Sequence, residues 1–138
     1  VDAKYKPYIT RYKDEDVTLG SRASLANAMK VHLFISLHCN AHSDTTANGF
    51  EVLYSKDSAE GKLLANHIIA GVLQNLPEVR VRSAKPVENI FVLRATKMPA
   101  VLIEFGFISN PADYAFLIQP ANQIRFIDVI KKSLDSFC

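Results

Sequence analysis

Two apolar segments of the chain each end in a side chain that can do acid–base or metal chemistry. Residues 31–37 are followed at once by His38, and residues 100–103 are followed at once by Glu104. Short runs rich in β-branched and aromatic residues are typical of core strands buried on both faces, as in parallel sheets. Open α/β sheets bind ligands at the carboxyl ends of such strands. The two segments therefore predict a site in which an imidazole and a carboxylate act together, through a metal or as a general base.

Alternation along the first strand separates the polar residues around His38. Neighbouring side chains of a strand point to opposite faces, so His38 and Asn40 share a face and Cys39 points away. We therefore expect Cys39 to be a buried structural cysteine rather than a ligand. His42 could pair with His38 as H-x3-H only in a helix, and the predicted strand and polar loop disfavour that alternative. The other two histidines lie in an apolar run and in a predicted helix, and we expect neither to be a ligand.

The alternative to a catalytic role for Glu104 is a structural role in a salt bridge. A carboxylate directly after an apolar strand is costly to bury without a partner, and Arg94 is a candidate for a salt bridge to it. Other kinds of site are missing from the sequence, which has no G-x-S-x-G, H-E-x-x-H or C-x-x-C motif and no phosphate-binding glycine loop. Serine-hydrolase, nucleotide-binding and redox functions are therefore disfavoured.

Length and composition fit one ordinary globular domain. The chain has 138 residues, of which 49% are hydrophobic and 22% charged, enough for a single domain with a core. Its net charge of +2 gives no support for nucleic-acid binding, and no stretch approaches the roughly 20 apolar residues of a membrane span. The two cysteines form no disulfide or zinc-finger pattern. We expect a monomer with no nucleic-acid partner and no membrane span.

Alternating strand and helix patterns predict an α/β domain with a mostly parallel sheet flanked by helices on both faces. Predicted strands cover residues 8–12, 31–38, 49–54, 90–93 and 100–104. Predicted helices cover residues 18–29, 58–76, a segment from 111 and a segment from 120. Ser58 and Asn110 are expected to cap helices, and Pro77 to follow one. Residues 78–89 are polar and fit neither pattern. The last helix is expected to bury one stripe, formed by Ile124, Ile127, Ile130, Leu134 and Phe137.

The residues around His38 and Glu104 belong to longer patterns that resemble the zinc-dependent N-acetylmuramoyl-L-alanine amidases. These patterns are F-I-S-L-H-C-N-A at residues 34–41 and P-A-V-L-I-E-F-G-F-I-S-N-P at residues 99–111. Shorter similarities are T-R at 10–11, D-V-T-L at 16–19 with Arg22, A-N at 26–27, G-F-E at 49–51 and V-L-R at 92–94. The two long signatures together are highly specific, and the resemblance covers nearly the whole chain.

The resemblance implies a peptidoglycan hydrolase that works outside the cytoplasm, in the periplasm, in the cell wall or as a secreted enzyme. Such an enzyme cleaves the amide between the lactyl group of N-acetylmuramic acid and the first L-alanine of the stem peptide. Zinc (Zn2+) in the family is held by two histidines and a glutamate, and a further glutamate is the catalytic acid/base. His38 matches the last zinc ligand and Glu104 matches the catalytic carboxylate. The resemblance also implies substrate contacts by Asn40 and Arg94.

The resemblance has one large departure. Family members open with a strand that ends in a D-x-G-H-G-G-type motif and a helix that supplies the zinc glutamate, and neither is in this sequence. We therefore expect residues 1–138 to be an amidase catalytic domain without its first strand and helix, part of a longer protein, and to bind zinc weakly alone. The alternatives are a degenerate, non-catalytic peptidoglycan-binding relative and an unrelated hydrolase in which His38 and Glu104 act without metal.

Overall fold

A computed structural model describes residues 4–138 of the chain, in which helices and strands alternate as expected for one α/β domain. The strands are β1 (Phe34–Asn40), β2 (Phe50–Ser55), β3 (Val81–Val87) and β4 (Ala100–Phe107). The helices are α1 (Leu19–Ala28), α2 (Ala59–Asn75), α3 (Phe91–Arg94), α4 (Pro111–Leu117) and α5 (Pro120–Phe137). In this part of the chain no helix is both long enough and apolar enough to cross a membrane.

The four strands form one mixed sheet in the order β1-β4-β2-β3. Strand β1 is parallel to β4 and β2 is parallel to β3, but the central pair β2–β4 is antiparallel. The prediction of a mostly parallel sheet is therefore wrong, whereas the α/β class is confirmed. A central strand covered on both faces has the same continuous apolar pattern whichever way it runs, so its residues do not reveal its direction.

Helices cover both faces of the sheet, as predicted. On one face, α2 and α5 pack on a core that contains Val101 and Ile103 of β4. Ser58 caps α2, and Leu64, Ile68 and Val72 of that helix are completely buried, which confirms the predicted helix and its buried stripe. On the other face, α1 and α3 cover a second apolar cluster, made of Ala26, Phe34, Leu53, Val92, Leu93, Ala100 and Leu102. The polar site lies directly beyond this second cluster.

Strand β1 is an edge strand rather than a core strand buried on both faces. Among residues 4–138 it pairs with β4 alone, Leu37 is 63% exposed, and Cys39 is exposed as well. The prediction of a buried structural Cys39 is therefore wrong. The core under α2 and α5 extends to Ile35 of β1, which is half-buried against it, but not to Leu37 and Cys39 farther along the same face.

Two short segments differ from the sequence-based expectation in the type of element. Of residues 90–93, expected to be a strand, Ile90 is the N-cap of the single helical turn α3 and residues 91–93 lie within it; the adjacent residues Val92 and Leu93 are both buried. A strand would point these neighbours to opposite faces, whereas a helical turn lets both face the core. Residues 8–12, also expected to be a strand, lie in neither a strand nor a helix.

Strand β3 lies within the polar segment that fitted neither pattern. It is the second edge of the sheet, most of its side chains are exposed or half-buried, and it contains Pro86. Proline cannot donate a ladder hydrogen bond and is tolerated in edge strands. An edge strand with few buried residues leaves little hydrophobic signal in the sequence.

The last helices begin as predicted, but the buried face of α5 is shifted. Asn110 caps α4 with Pro111 in its first turn, and α5 starts at Pro120. Ile124 and Ile127 are 58% and 55% exposed, whereas Phe126, Val129 and Ser133 are buried. Two overlapping apolar stripes run along α5, and its sequence does not show which of them faces α2 and the sheet.

Candidate functional site

Three ionisable side chains lie in one row across adjacent strands. In the sheet register, His38 of β1 is paired with Glu104 of β4, and Glu104 is paired with Glu51 of β2. Residues that face each other directly across neighbouring strands project their side chains to the same face. The sheet therefore brings His38 and Glu104 together at the carboxyl ends of two parallel strands, as predicted, and adds a second carboxylate that sequence reasoning missed.

The row of His38, Glu104 and Glu51 lies on the face of the sheet that α1 and α3 cover. Phe34 and Ser36 precede His38 at alternate positions of β1, and Leu102 precedes Glu104 at the alternate position of β4. Phe34 and Leu102 belong to the second apolar cluster. This cluster fixes the first part of both strands, so the polar row begins where this buried cluster stops.

The imidazole of His38 is oriented by its own strand. Ser36 Oγ lies 2.7 Å from His38 Nε2, and no residue of the described chain forms a hydrogen bond with Nδ1. Burial, and secondarily the positive charge of Arg22, lowers the pKa of His38 below its ordinary value. The neutral imidazole is the form that ligates metals, so this environment favours a free nitrogen lone pair near neutral pH.

Glu104 is half-buried and lacks a counter-ion. Its Oε2 atom is buried and has no hydrogen-bond partner among residues 4–138. Burial, and secondarily the charge of Glu51, raises the pKa of Glu104 from 4.5 to about 7. No ion pair joins Glu104 to Arg94 within the described residues, and Arg94 is exposed at the end of α3. A carboxyl group with a pKa near neutrality can both accept and donate a proton in one reaction cycle.

Glu51 differs from Glu104 because it has partners. It is only 8% exposed, yet its Oε1 accepts a hydrogen bond from Asn40 Nδ2 at 3.3 Å and its Oε2 lies 3.4 Å from Arg82 Nε. The guanidinium of Arg82 also stacks over the ring of Phe107, 5.1 Å from its centroid. In the sequence, the only signal for Glu51 was its place in the G-F-E pattern.

Asn40 uses both ends of its amide within the protein. Besides the bond from Nδ2 to Glu51, its Oδ1 accepts a hydrogen bond from the backbone N–H of Ala41 at 2.9 Å. The bond to Glu51 ties the end of β1 to β2 across the intervening β4, and the bond from Ala41 fixes the orientation of the amide. The substrate contacts expected for Asn40 and Arg94 stay predictions.

The loop after β1 is held against the turn that follows β4. The backbone N–H of His42 donates to Ser109 Oγ at 3.0 Å, and Asn110 Nδ2 donates to the carbonyl of Thr45 at 3.0 Å. His42 lies in this loop, where its Nδ1 accepts from the N–H of Asp44, rather than in a helix with His38. These contacts give the I-S-N part of the second signature a structural role beside the site.

Two further side chains fix the segments that lead into the site. Asn27 donates to the carbonyl of Ala95 and accepts from the N–H of Lys97, which holds the loop before β4. Asp113 accepts from the N–H groups of Gly49 and Phe107, which joins the start of β2 to the end of β4. Gly49 has a φ of +115°, and a Cβ there would lie 2.9 Å from Arg82 Cγ, so glycine suits both the backbone and the packing.

The described residues offer part of a metal site. One ring nitrogen of His38 has no hydrogen-bond partner among the described residues, as expected of a metal ligand. His38 is paired with Glu104, whose Oε2 also has no hydrogen-bond partner there. Within residues 4–138, however, no group of three or more His, Cys, Asp and Glu side chains could hold a metal ion. A catalytic zinc takes three protein ligands, so these residues fit one ligand of such a site and not the complete set.

The raised pKa of Glu104 predicts a pH-dependent stability that can be measured on the metal-free protein. Between about pH 4.5 and about pH 7 the folded chain binds more protons than the unfolded chain, so this contribution to stability is lost as pH rises. We expect Glu104→Gln to raise the melting temperature relative to the parent at pH 8 and to have little effect at pH 5. Glu15→Gln, in the exposed segment before α1, is the matched control and should show no such trend. Equal shifts at both pH values would contradict the prediction.

A family model described as N-acetylmuramoyl-L-alanine amidase matches residues 1–136. The germination-specific N-acetylmuramoyl-L-alanine amidase of Bacillus subtilis (strain 168) is 33% identical over 125 residues, which are 91% of this chain and 52% of that protein. The N-acetylmuramoyl-L-alanine amidase LytC of the same organism is 34% identical over 115 residues, which are 82% of this chain and 23% of that protein. The chain thus spans about half the length of the first relative and about a quarter of the second.

The fold is similar to that of a solved amidase domain. The catalytic domain of CwlV, an N-acetylmuramoyl-L-alanine amidase from Bacillus (Paenibacillus) polymyxa var. colistinus, superimposes with a TM-score of 0.89 and 28% identity. The match covers 98% of this chain and 73% of that structure. The resemblance found in the two signatures is therefore confirmed at the level of sequence and of fold, and the chain belongs to the N-acetylmuramoyl-L-alanine amidase family.

Proposed function

We propose that the protein containing this chain hydrolyses the amide between N-acetylmuramic acid and the L-alanine of the stem peptide in peptidoglycan. Membership of the amidase family supports this reaction. The observation that carries the proposal is the unpartnered carboxyl group of Glu104 beside His38 at the ends of β4 and β1. Peptidoglycan lies outside the cytoplasm, so we propose an extracytoplasmic site of action, with the enzyme acting as a monomer.

We propose zinc as the cofactor and His38 as one of its ligands. Bound zinc would lower the pKa of a water molecule and polarise the amide carbonyl. The remaining ligands would come from a strand and a helix of the domain that lie outside residues 4–138. Two observations support this extension: β1 has an exposed, unpaired edge, and 27% of the CwlV structure has no counterpart in this chain.

Glu104 would act as the proton carrier of the reaction. Its carboxylate would accept a proton from the attacking water and donate it to the leaving amine of L-alanine. Burial supports this role because it brings the pKa of Glu104 to about 7, where both protonation states are accessible. Arg94 would hold the substrate from the exposed end of α3. Asn40, at the end of β1, would make a weaker substrate contact, since its amide is already bonded to Glu51 and Ala41.

Digestion of purified peptidoglycan by the complete protein tests the proposed reaction. We expect new amino termini of L-alanine to appear without new reducing sugar ends. The second carboxylate of the row, Glu51, is bound to Arg82 and Asn40, which leaves Glu104 beside His38 rather than the two available flanking carboxylates of a glycosidase. New reducing ends without amino termini would show that a glycosidic bond is cleaved. The matched control is the same protein with Glu104→Gln, which should release neither product.

A non-catalytic peptidoglycan-binding function is the second candidate. It is favoured by the absence of a complete metal-ligand set among residues 4–138. Binding of the complete protein to insoluble peptidoglycan without zinc and without release of amino termini would support it. Turnover that persists after chelation would instead favour a hydrolase in which His38 and Glu104 act without metal.

A further inference from the structure

We propose that Glu51 is a positioning residue for amide hydrolysis and that it acts together with Arg82 by fixing the end of β1. This inference rests on the proposed function. Glu51 is a nearly buried carboxylate next to the site, and neither the proton transfer assigned to Glu104 nor the ligand role assigned to His38 uses it. The side chains of Asn40, Glu51, Arg82 and Phe107 are called the Glu51 network below.

The Glu51 network joins all four strands of the sheet. Arg82 of β3 lies against Glu51 of β2, and Glu51 accepts a hydrogen bond from Asn40 of β1. Arg82 also stacks on the ring of Phe107 of β4. The network therefore forms one continuous set of contacts at the end of the sheet that holds His38 and Glu104.

The end of β1 needs such a tie because its pairing with β4 is irregular there. The register shifts after His38, where Asn40 is paired with Phe107 rather than with the next alternate residue of β4. Asn40 is held by this pairing, by a backbone hydrogen bond from the N–H of Ile108 to its carbonyl, and by the side-chain bond to Glu51, which is the contact that reaches β2. Asn40 follows His38 by two residues, so its position sets the direction of the chain at the proposed ligand.

Arg82 makes the two neighbouring carboxylates unequal. A buried carboxylate is costly unless it is paired with a cation or hydrogen-bonded. Glu51 has both kinds of partner, whereas Glu104 has a buried oxygen with none. Glu51 is thus bound into the framework, and Glu104 is the member of the pair that is free to contact substrate.

The test separates positioning from simple stabilisation in the complete enzyme. The double variant Glu51→Met/Arg82→Met removes the ion pair and the bond to Asn40 but keeps the volume, and such apolar replacements of buried ion pairs are often neutral for stability. We expect a melting temperature near that of the parent, an unchanged KM and a kcat lowered by about 10- to 100-fold, since small misplacements of reacting groups cost up to roughly 100-fold. The single variant Glu51→Gln keeps an oxygen that can accept a hydrogen bond from Asn40, so its kcat should stay close to that of the parent enzyme.

The exposed pair Lys56 and Glu88, at the opposite end of β2 and β3, supplies the matched control. Lys56→Met/Glu88→Met should leave kcat and KM unchanged.

A normal kcat in the Glu51→Met/Arg82→Met variant would overturn the inference, and a change confined to KM would show a substrate contact instead. If that variant does not fold, Arg82→Lys decides: a kcat lowered severalfold at constant KM supports positioning, and unchanged constants overturn it. An inactive parent enzyme would refute the proposed function itself.

Discussion

Replacing Glu104 with glutamine is expected to lower kcat of the complete enzyme by about 10²–10⁴-fold, the usual effect of removing a general acid–base group. Glutamine keeps the volume of the side chain but cannot accept the proton of the attacking water. Because Oε2 of Glu104 has no hydrogen-bond partner among residues 4–138, the substitution breaks no contact of the described fold. The fold and the zinc content should therefore persist while peptidoglycan turnover is lost.

An exposed carboxylate at the opposite end of the sheet provides the matched control for this substitution. Glu88→Gln makes the same chemical change just after β3 and should leave kcat unchanged. Amino-terminal release, zinc content and far-UV circular dichroism of both variants are the measurements. Loss of zinc in Glu104→Gln would make Glu104 a ligand, and loss of the fold would make it structural. Near-normal turnover would contradict the proposed proton transfer.

The pairing of His38 with Glu104 could be predicted because it depends on local signals. Each residue follows a short apolar run directly, and such runs mark strands whose ends meet at one edge of a sheet. The same reasoning predicted the caps at Ser58 and Asn110, since capping is decided within one helical turn. Features that depend on a few neighbouring residues were thus accessible from the sequence.

Features that depend on distant partners were not accessible. The antiparallel pairing of β2 with β4 places Glu51 beside Glu104, but these residues are 53 positions apart in the sequence and nothing in either segment specifies the direction of pairing. Likewise, the apolar run of β1 predicted a core strand, yet exposure is set by which elements cover each residue, and the core under α2 and α5 reaches Ile35 but not Leu37. Cys39 is exposed for the same reason.

In the complete enzyme, replacing His38 with alanine is expected to reduce zinc binding and to abolish turnover. Changes to the outer hydrogen-bond partners of metal ligands alone cost about 10- to 100-fold in metal affinity, so loss of a ligand should cost more. Nε2 of His38 lies against Ser36 Oγ and Nδ1 has no hydrogen-bond partner among residues 4–138, so the substitution takes away the ring nitrogen proposed to bind the metal from β1. Metal analysis after dialysis against a weak chelator gives the zinc content per chain.

His67→Ala is the matched control for His38→Ala, because His67 lies on α2, on the opposite side of the sheet, with its ring beside Phe137. That variant should keep one zinc per chain and normal turnover. Full zinc occupancy in His38→Ala would remove His38 from the metal site, whatever its activity. A chain limited to residues 1–138 should bind zinc only weakly, since His38 alone cannot supply the three ligands of a catalytic zinc. Tight binding of one zinc by that chain would show that its own residues complete the site.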